Sequence, residues 1–321
     1  MKVQIPAASK ITDSEMQFIR EMGIRYLSMT FFPDDTSYDS VCRLQERCEK
    51  YDLTITDGGC SQLFKNASIH LGLPGRDEAI DRYNDFTRVL GRAGIGIGYA
   101  AWQPGGILRT AHGPGQFTRG GISMSADMDE ILSRPYSNER DFSEEEIWDN
   151  FKYFLDRALP VCEESNVKLA LHPNDPPAPK MCGVPSLIYN TDCYRKAFEL
   201  AGNSPYLGMK LCVGCWLEGG DQFGDLMGDI KEFCEKDRIY SVHFRNVSSP
   251  MPKFEEVLCE DGYAEMYSIL KQLLQCGYDG VISVDHAFQA ASEMGGRLGG
   301  MAYPTGYLKG MLYAAEKEIL R

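Results

Sequence analysis

The sequence lacks the marks of a membrane-spanning or exported protein. None of its apolar runs approaches the roughly 20 residues that a helix needs to cross a bilayer, and residues 1–6 show no signal-peptide pattern. The eleven cysteines are scattered and suggest no disulfide framework. Because no export signal is present, we expect reduced thiols, a cytoplasmic location and no membrane partner.

Basic residues are also scarce. Lys and Arg number 33 against 46 Asp and Glu, so the net charge is −13. A protein that binds a nucleic-acid backbone needs a basic face, and this charge argues against such a partner. A glycine-rich phosphate-binding loop is missing as well, since residues 6–9 after the first predicted strand read Pro-Ala-Ala-Ser. This absence disfavours an open, doubly wound nucleotide-binding sheet.

The sequence does contain a regular alternation of short apolar runs and amphipathic stretches. The apolar runs predict strands over residues 4–6, 26–31, 53–56, 95–102, 167–172, 209–212, 239–243 and 281–285. The amphipathic stretches predict helices over residues 12–22, 38–51, 77–93, 143–164, 192–201, 223–236, 263–275 and 305–319. Thr12 and Ser143, each followed three residues later by Glu, are capping-box signals for two of these helices.

Eight strand–helix units in 321 residues predict a single (β/α)8 barrel of the α/β class, covering residues 1–321. The longest interruption, at about residues 103–141, is rich in Gly and Pro and is predicted to be a long loop insertion that serves as a lid or binding loop. In such a barrel the active site lies at the carboxyl ends of the strands.

Four consecutive predicted strands each end close to a side chain that can bind a metal. These side chains are His172, Cys212, His243 and Asp285. A strand-end histidine or a buried cysteine alone is more often structural. Four successive strands with the same feature indicate a shared metal site. Cys215 is a rival to Cys212, but it follows Gly214 and is predicted to lie beyond the strand. Two imidazoles, a thiolate and a carboxylate leave Zn, Mn and Fe open.

Several motifs around these residues resemble those of mannonate dehydratases. Residues 172–177, which read His-Pro-Asn-Asp-Pro-Pro, are similar to that family's histidine–proline signature. Residues 208–214 resemble its cysteine-bearing strand, residues 242–247 its histidine strand, and residues 285–286 its aspartate–histidine pair. Residues 102–110 and 296–301 resemble its arginine-containing segment and its C-terminal glycine–arginine–leucine block. The likeness extends over about residues 53–309.

The resemblance implies a xylose-isomerase-like barrel that removes water from a sugar acid such as D-mannonate and gives a 2-keto-3-deoxy product. It implies a divalent ion, for which we expect Mn2+ ahead of Fe2+ or Zn2+. The implied ligands are His172, Cys212, His243 and Asp285. Arg109 would bind substrate or act in catalysis, and His286 would be a general acid/base, a role suited to an imidazole. Family likeness also suggests a homo-oligomer.

Three further residues are predicted to contact the substrate: Arg245, Asn174 and Trp102. Arg245 could instead form an ion pair, Asn174 could make a turn or orient His172, and Trp102 could pack the rim. Two departures from the family pattern keep other reactions open. Asn174 stands where the family has aspartate, and no tyrosine stands near Ser292, where the family has a catalytic one. The alternatives are an isomerase or epimerase, a β-eliminating lyase on a keto-sugar or keto-glycoside, and a sugar-binding barrel without activity.

Overall fold

A computed structural model describes residues 1–104, 106–135, 140–285 and 296–319, with only the backbone for residues 296–298. Within these ranges eight parallel strands close into a barrel in the spatial order β1-β14-β11-β10-β7-β4-β3-β2. They are β1 Lys2–Ala8, β2 Tyr26–Thr30, β3 Thr54–Gly59, β4 Ile97–Ala101, β7 Lys168–His172, β10 Leu207–Cys212, β11 Ile239–His243 and β14 Val281–Ser283. The other strands are β5 Ala111–Pro114, β6 Ile122–Asp127, β8 Lys180–Met181, β9 Val184–Pro185, β12 Asn246–Val247 and β13 Lys253–Val257. The predicted (β/α)8 barrel is confirmed.

Helices alternate with the barrel strands. They are α1 Asp13–Glu21, α2 Tyr38–Glu49, α3 Ser61–Phe64, α4 Ala67–His70, α5 Arg76–Arg92, α6 Met128–Ser133, α7 Glu144–Glu164, α8 Thr191–Leu200, α9 Val213–Gly219, α10 Leu226–Glu235, α11 Met266–Gln275 and α12 Gly296–Ile319. Thr12 and Ser143 form the predicted capping boxes of α1 and α7. Among the residues described, no helix combines the length and apolar character that a membrane span requires.

The barrel interior is unusually polar. Side chains of alternate residues face inward, and the register pairs Ser28 with Asp57 and Lys210 with Ser241. All four are buried. The Tyr99 hydroxyl contacts Asp57 and lies 2.6 Å from Ser28 Oγ, while Lys210 Nζ lies 3.7 Å from the centroid of the Tyr99 ring. Bulky branched residues usually fill this space. Here a hydrogen-bonded group of polar side chains lies directly below the site at the barrel mouth instead.

The predicted loop insertion at about residues 103–141 has regular structure, so this prediction is wrong in part. Strands β5 and β6 form an antiparallel pair, β6 pairs with β13, and β13 pairs with β12. Residues 122–127, Ile-Ser-Met-Ser-Ala-Asp, alternate apolar and polar side chains, which is the signal of a half-buried strand. The abundance of Gly and Pro around that run obscured it.

The last helix also differs from its prediction. It was expected over residues 305–319, after Pro304, but α12 begins at Gly296 and contains Pro304. A proline inside a helix removes a backbone hydrogen bond and normally marks a boundary. Here the residues before it continue the same helix, so the proline was a misleading boundary signal.

Candidate metal centre

The barrel brings the four predicted ligands together at the carboxyl ends of neighbouring strands. His172 ends β7, Cys212 ends β10 and His243 ends β11, and Cys212 pairs directly with His243 in the sheet register. One ligand atom from each of these three residues lies within 4.8 Å of the others. Asp285, two residues beyond β14, places Oδ1 2.9 Å from His243 Nδ1 and Oδ2 3.5 Å from Cys212 Sγ.

The Cys212 sulfur is in surroundings that favour a thiolate. Burial by itself would raise the pKa of this thiol, but hydrogen bonds from Cys215, His172 and His243 outweigh it, and the pKa lies well below its usual value. The thiolate is the form in which cysteine binds metals. Cys215 lies on α9 and so beyond the strand, as predicted. Burial raises the pKa of its thiol most, and the neighbouring Cys212 raises it further.

The orientation of His172 also suits a ligand. Its Nδ1 lies 2.8 Å from the carbonyl oxygen of Pro173. A carbonyl oxygen can only accept a hydrogen bond, so Nδ1 carries a proton and Nε2 is the ring nitrogen left for a metal ion. A hydrogen bond of this kind fixes the tautomer and ring orientation of metal-binding histidines.

A buried group of charged side chains adjoins this centre; we call it the charge cluster. Its members are Arg109, Arg245, Asp175, Glu218 and Glu256. Arg109 Nη2 is 2.7 Å from Asp175 Oδ1, 3.2 Å from Glu218 Oε1 and 2.6 Å from Glu256 Oε1. Arg245 Nη1 is 2.8 Å from Glu218 Oε1. Arg245 Nε reaches Asp285 Oδ2 at 3.1 Å and so joins the cluster to the predicted metal ligands.

The electrostatics of the charge cluster are nearly balanced. Burial, and then repulsion from Asp175, raise the pKa of Glu218 well above its usual range, although Arg245 and Arg109 oppose the shift. Two guanidinium groups face three carboxyl groups, and the attraction between them offsets part of the cost of burying charge.

These contacts show the surroundings of the two arginines that were predicted to bind substrate. Arg109 and Arg245 were expected to contact substrate, yet their side chains are only 7% and 4% exposed and lie against protein carboxylates. A substrate carboxylate would have to displace Asp175 or Glu218 from them. The structure pairs Arg245 with protein carboxylates, which is the alternative that the sequence left open, and it does the same for Arg109. Direct contact of either arginine with substrate stays a prediction.

Asn174 and Trp102 also hold the site together. The Asn174 side chain donates to the Trp102 carbonyl oxygen at 3.0 Å and accepts from the Ile188 backbone N–H at 2.9 Å. The Trp102 ring packs on Phe151 and Phe154 with centroids 5.1 and 5.5 Å away. Trp102 is 3% exposed and Asn174 is 6% exposed. These contacts agree with the structural roles that the sequence left open for both residues, and their contact with substrate stays a prediction.

The predicted acid/base His286 lies outside the described residues, as does Ser292, and the side chain of Arg297 is not described. Several residues close to the site were not predicted. Glu218 and Glu256 complete the charge cluster, Asp57 and Lys210 lie in the barrel interior, and Lys65 follows α3. Lone acids and lysines on separate elements share no spacing pattern, so only the fold reveals that they meet.

Residues 121–320 match the family model of D-mannonate dehydratase (UxuA). The chain belongs to the mannonate dehydratase family. A mannonate dehydratase of Lactococcus lactis subsp. cremoris is 28% identical over 317 residues, which cover 85% of this chain and 87% of that protein. The predicted resemblance is confirmed.

Solved structures agree on the fold of this mannonate dehydratase family member. The mannonate dehydratase of Streptococcus suis serotype 2 superposes with a TM-score of 0.85 at 24% identity, covering 99% of this chain and 96% of that one. A xylose isomerase domain protein from Planctomyces limnophilus superposes with a TM-score of 0.62 at 10% identity, covering 99% and 97%. The xylose-isomerase-like barrel is thus confirmed, and the family is one of hydro-lyases, the predicted enzyme class.

Proposed function

We propose that this protein is a metal-dependent dehydratase that converts a sugar acid such as D-mannonate to its 2-keto-3-deoxy acid. The reaction removes the proton from C2 and hydroxide from C3, and the resulting enol becomes the 2-keto product. Family membership supports dehydration of a sugar acid. The observation that carries the metal dependence is the convergence of His172, Cys212 and His243, with donor atoms within 4.8 Å of each other.

The donor set fits a divalent ion. The proposed ligands are His172, Cys212, His243 and Asp285. The Cys212 thiolate and Nε2 of His172 would each supply a lone pair to the ion. We propose Mn2+ as the ion, with Fe2+ and Zn2+ as the other candidates, because this mixed donor set suits all three. A bound divalent ion supplies Lewis acidity that stabilises oxyanion charge at the substrate.

The chain's own residues supply the remaining requirements. Arg245 holds Asp285 at 3.1 Å and so orients that carboxylate toward the centre. Arg109 holds Asp175, which follows His172 by three residues, and thereby steadies the loop that presents this imidazole. His286, the neighbour of Asp285 in sequence, is the proposed proton carrier between C2 and the departing hydroxyl.

Turnover of D-mannonate tests the proposal. The purified protein, freed of metal by a chelator and reloaded with Mn2+, should form a 2-keto-3-deoxy acid that chromatography detects. His172→Ala should lower the rate by at least about tenfold, since even indirect support of a metal ligand contributes that much. His112→Ala, which removes an exposed histidine on β5, is the matched control and should leave the rate unchanged.

Three outcomes contradict the proposal. If mannonate is inert while a keto-sugar or keto-glycoside is converted, the reaction is isomerisation, epimerisation or β-elimination. Binding of mannonate without conversion of any polyol indicates a binding protein. Equal rates for the metal-free and Mn2+-loaded protein contradict the metal dependence.

A further inference from the structure

The substrate of the proposed reaction is an anion, so the site needs a positive group for its carboxylate. The arginines of the charge cluster are committed elsewhere, because Arg109 and Arg245 are buried against protein carboxylates at 2.6–3.2 Å. The group that binds the substrate carboxylate must carry a positive charge that no protein carboxylate already neutralises. A lysine at the carboxyl end of the barrel could supply this charge.

Lys65 is in the required position. It caps α3, the short helix that directly follows β3, and its backbone N–H donates to Ser61 O at 2.9 Å. The preceding residue, Phe64, packs edge-to-face on Tyr99 of β4 with ring centroids 6.1 Å apart. Gly59 at the end of β3 lets both rings approach, since a Cβ there would lie 2.7 Å from Tyr99 and 2.9 Å from Phe64. These contacts hold the Lys65 backbone at the end of the barrel where the ligands lie.

The Lys65 ammonium is near enough to two acids of the site to interact with their charge, but among the described residues it forms no ion pair with them. Asp175 and Asp285 both act on it electrostatically and favour its charged form. Burial opposes them and lowers its pKa. The side chain is partly buried, and among the described residues its ammonium has no hydrogen bond and no ion pair within 4.0 Å. A partly desolvated ammonium without a partner is costly and gains most from an anionic ligand.

We propose that Lys65 binds the carboxylate of the sugar acid and makes the site selective for anionic over neutral polyols. This inference rests on the proposed function, because it takes the substrate to be an acid. It assigns Lys65 the role that the sequence suggested for Arg109. The ammonium would contact the substrate directly, and the two arginines would act through Asp175, Glu218 and Asp285.

Binding selectivity tests this role. The Mn2+-loaded wild type, Lys65→Met and Lys65→Arg are titrated with D-mannonate and with D-mannitol, the neutral polyol of the same chain length. Lys65→Met should weaken mannonate binding by about tenfold or more and leave mannitol binding unchanged, because it removes one charge-assisted hydrogen bond. Lys65→Arg should restore most of the preference for mannonate. Lys50→Met, at the exposed end of α2, is the matched control.

The ratio of the affinities for mannonate and mannitol is decisive, because a general loss of folding would weaken the binding of both compounds alike. Equal weakening of mannonate and mannitol, or no weakening of either, overturns the role. A Lys65→Arg variant that binds mannonate normally but loses kcat would assign Lys65 to proton transfer instead and would also overturn it. Failure of the proposed function is distinguishable: the wild type would bind mannonate without converting it, and the selectivity of Lys65→Met would still decide the role of Lys65.

Discussion

Arg245 shows how strongly a single buried charge can affect the stability of this site. Its guanidinium is 4% exposed and contacts Glu218 at 2.8 Å and Asp285 at 3.1 Å. Replacement by methionine removes this guanidinium from both buried carboxylates. We expect Arg245→Met to lower the free energy of unfolding by about 3–5 kcal/mol, the usual result of removing one member of a buried ion pair. Urea denaturation monitored by circular dichroism measures it.

Two further variants separate the effect of burial on the free energy of unfolding from the effect of charge alone. Arg195→Met removes a 2.6 Å ion pair with Glu232, but the Arg195 side chain is 45% exposed, so we expect a loss within about 1 kcal/mol. Adding Glu218→Gln to Arg245→Met should recover part of the stability, because an amide replaces a buried acid that has lost one of its guanidinium partners. If Arg245→Met costs no more than Arg195→Met, the described ion pair does not contribute as argued.

Residues differed in how well the sequence revealed them. His172, Cys212 and His243 were recognisable because each ends an apolar run, and the register of a parallel barrel then brings them together. Glu218, Glu256 and Lys65 have no such signal, since an acid on a helix or a lysine after a short turn is usually exposed. Their burial depends on contacts between elements far apart in sequence. The carboxylate partners of Arg109 and Arg245 were not identifiable from the sequence for the same reason.

At the scale of elements, the small sheet beside the barrel is held by Glu255 of β13. Its carboxylate accepts hydrogen bonds from the backbone N–H groups of Gln116 and Phe117, each at 3.1 Å, in the turn between β5 and β6. Arg119 lies in the same turn. We expect Glu255→Ala to loosen it, because unpaired backbone groups favour local opening. Limited trypsin digestion should then cleave after Arg119 several times faster than in the wild type.

The control for this digestion is Glu46→Ala, which removes an exposed carboxylate on α2. It should leave the cleavage rate after Arg119 unchanged. A general destabilisation would accelerate cleavage at many sites, and mass spectrometry of the fragments distinguishes that result from local opening. Unchanged cleavage in Glu255→Ala would show that the pairing of β6 with β13 suffices to hold the turn.

Elements were predictable where local signals agreed with the fold. The capping boxes at Thr12 and Ser143 marked the starts of α1 and α7 correctly. Predictions failed where a local signal conflicted with tertiary packing. Pro304 lies inside α12, and the Gly- and Pro-rich surroundings of residues 122–127 concealed β6. In both cases the composition of the neighbourhood outweighed the pattern within the element itself.

At the scale of the whole molecule, the proposed ligands connect four of the eight barrel strands. They come from β7, β10 and β11 and from the residues after β14, which are neighbours in the closed sheet through β7-β10-β11-β14. The unfolded chain separates these residues by 113 positions, counted from 172 to 285. An ion that binds only when they meet therefore stabilises the closed barrel rather than one element.

Thermal unfolding with and without metal tests this coupling. A ligand at 100 times its dissociation constant stabilises the native state by about 2.7 kcal/mol, so Mn2+ should raise the Tm of the chelator-treated protein by several degrees. Cys212→Ala should abolish most of that rise, because the thiolate is the softest and most deeply buried donor. Cys48→Ala removes a buried thiol on α2 and should keep the full rise despite a lower starting Tm. If Mn2+ raised the Tm of both variants equally, it would bind elsewhere. His172, Cys212, His243 and Asp285 would then not be its ligands.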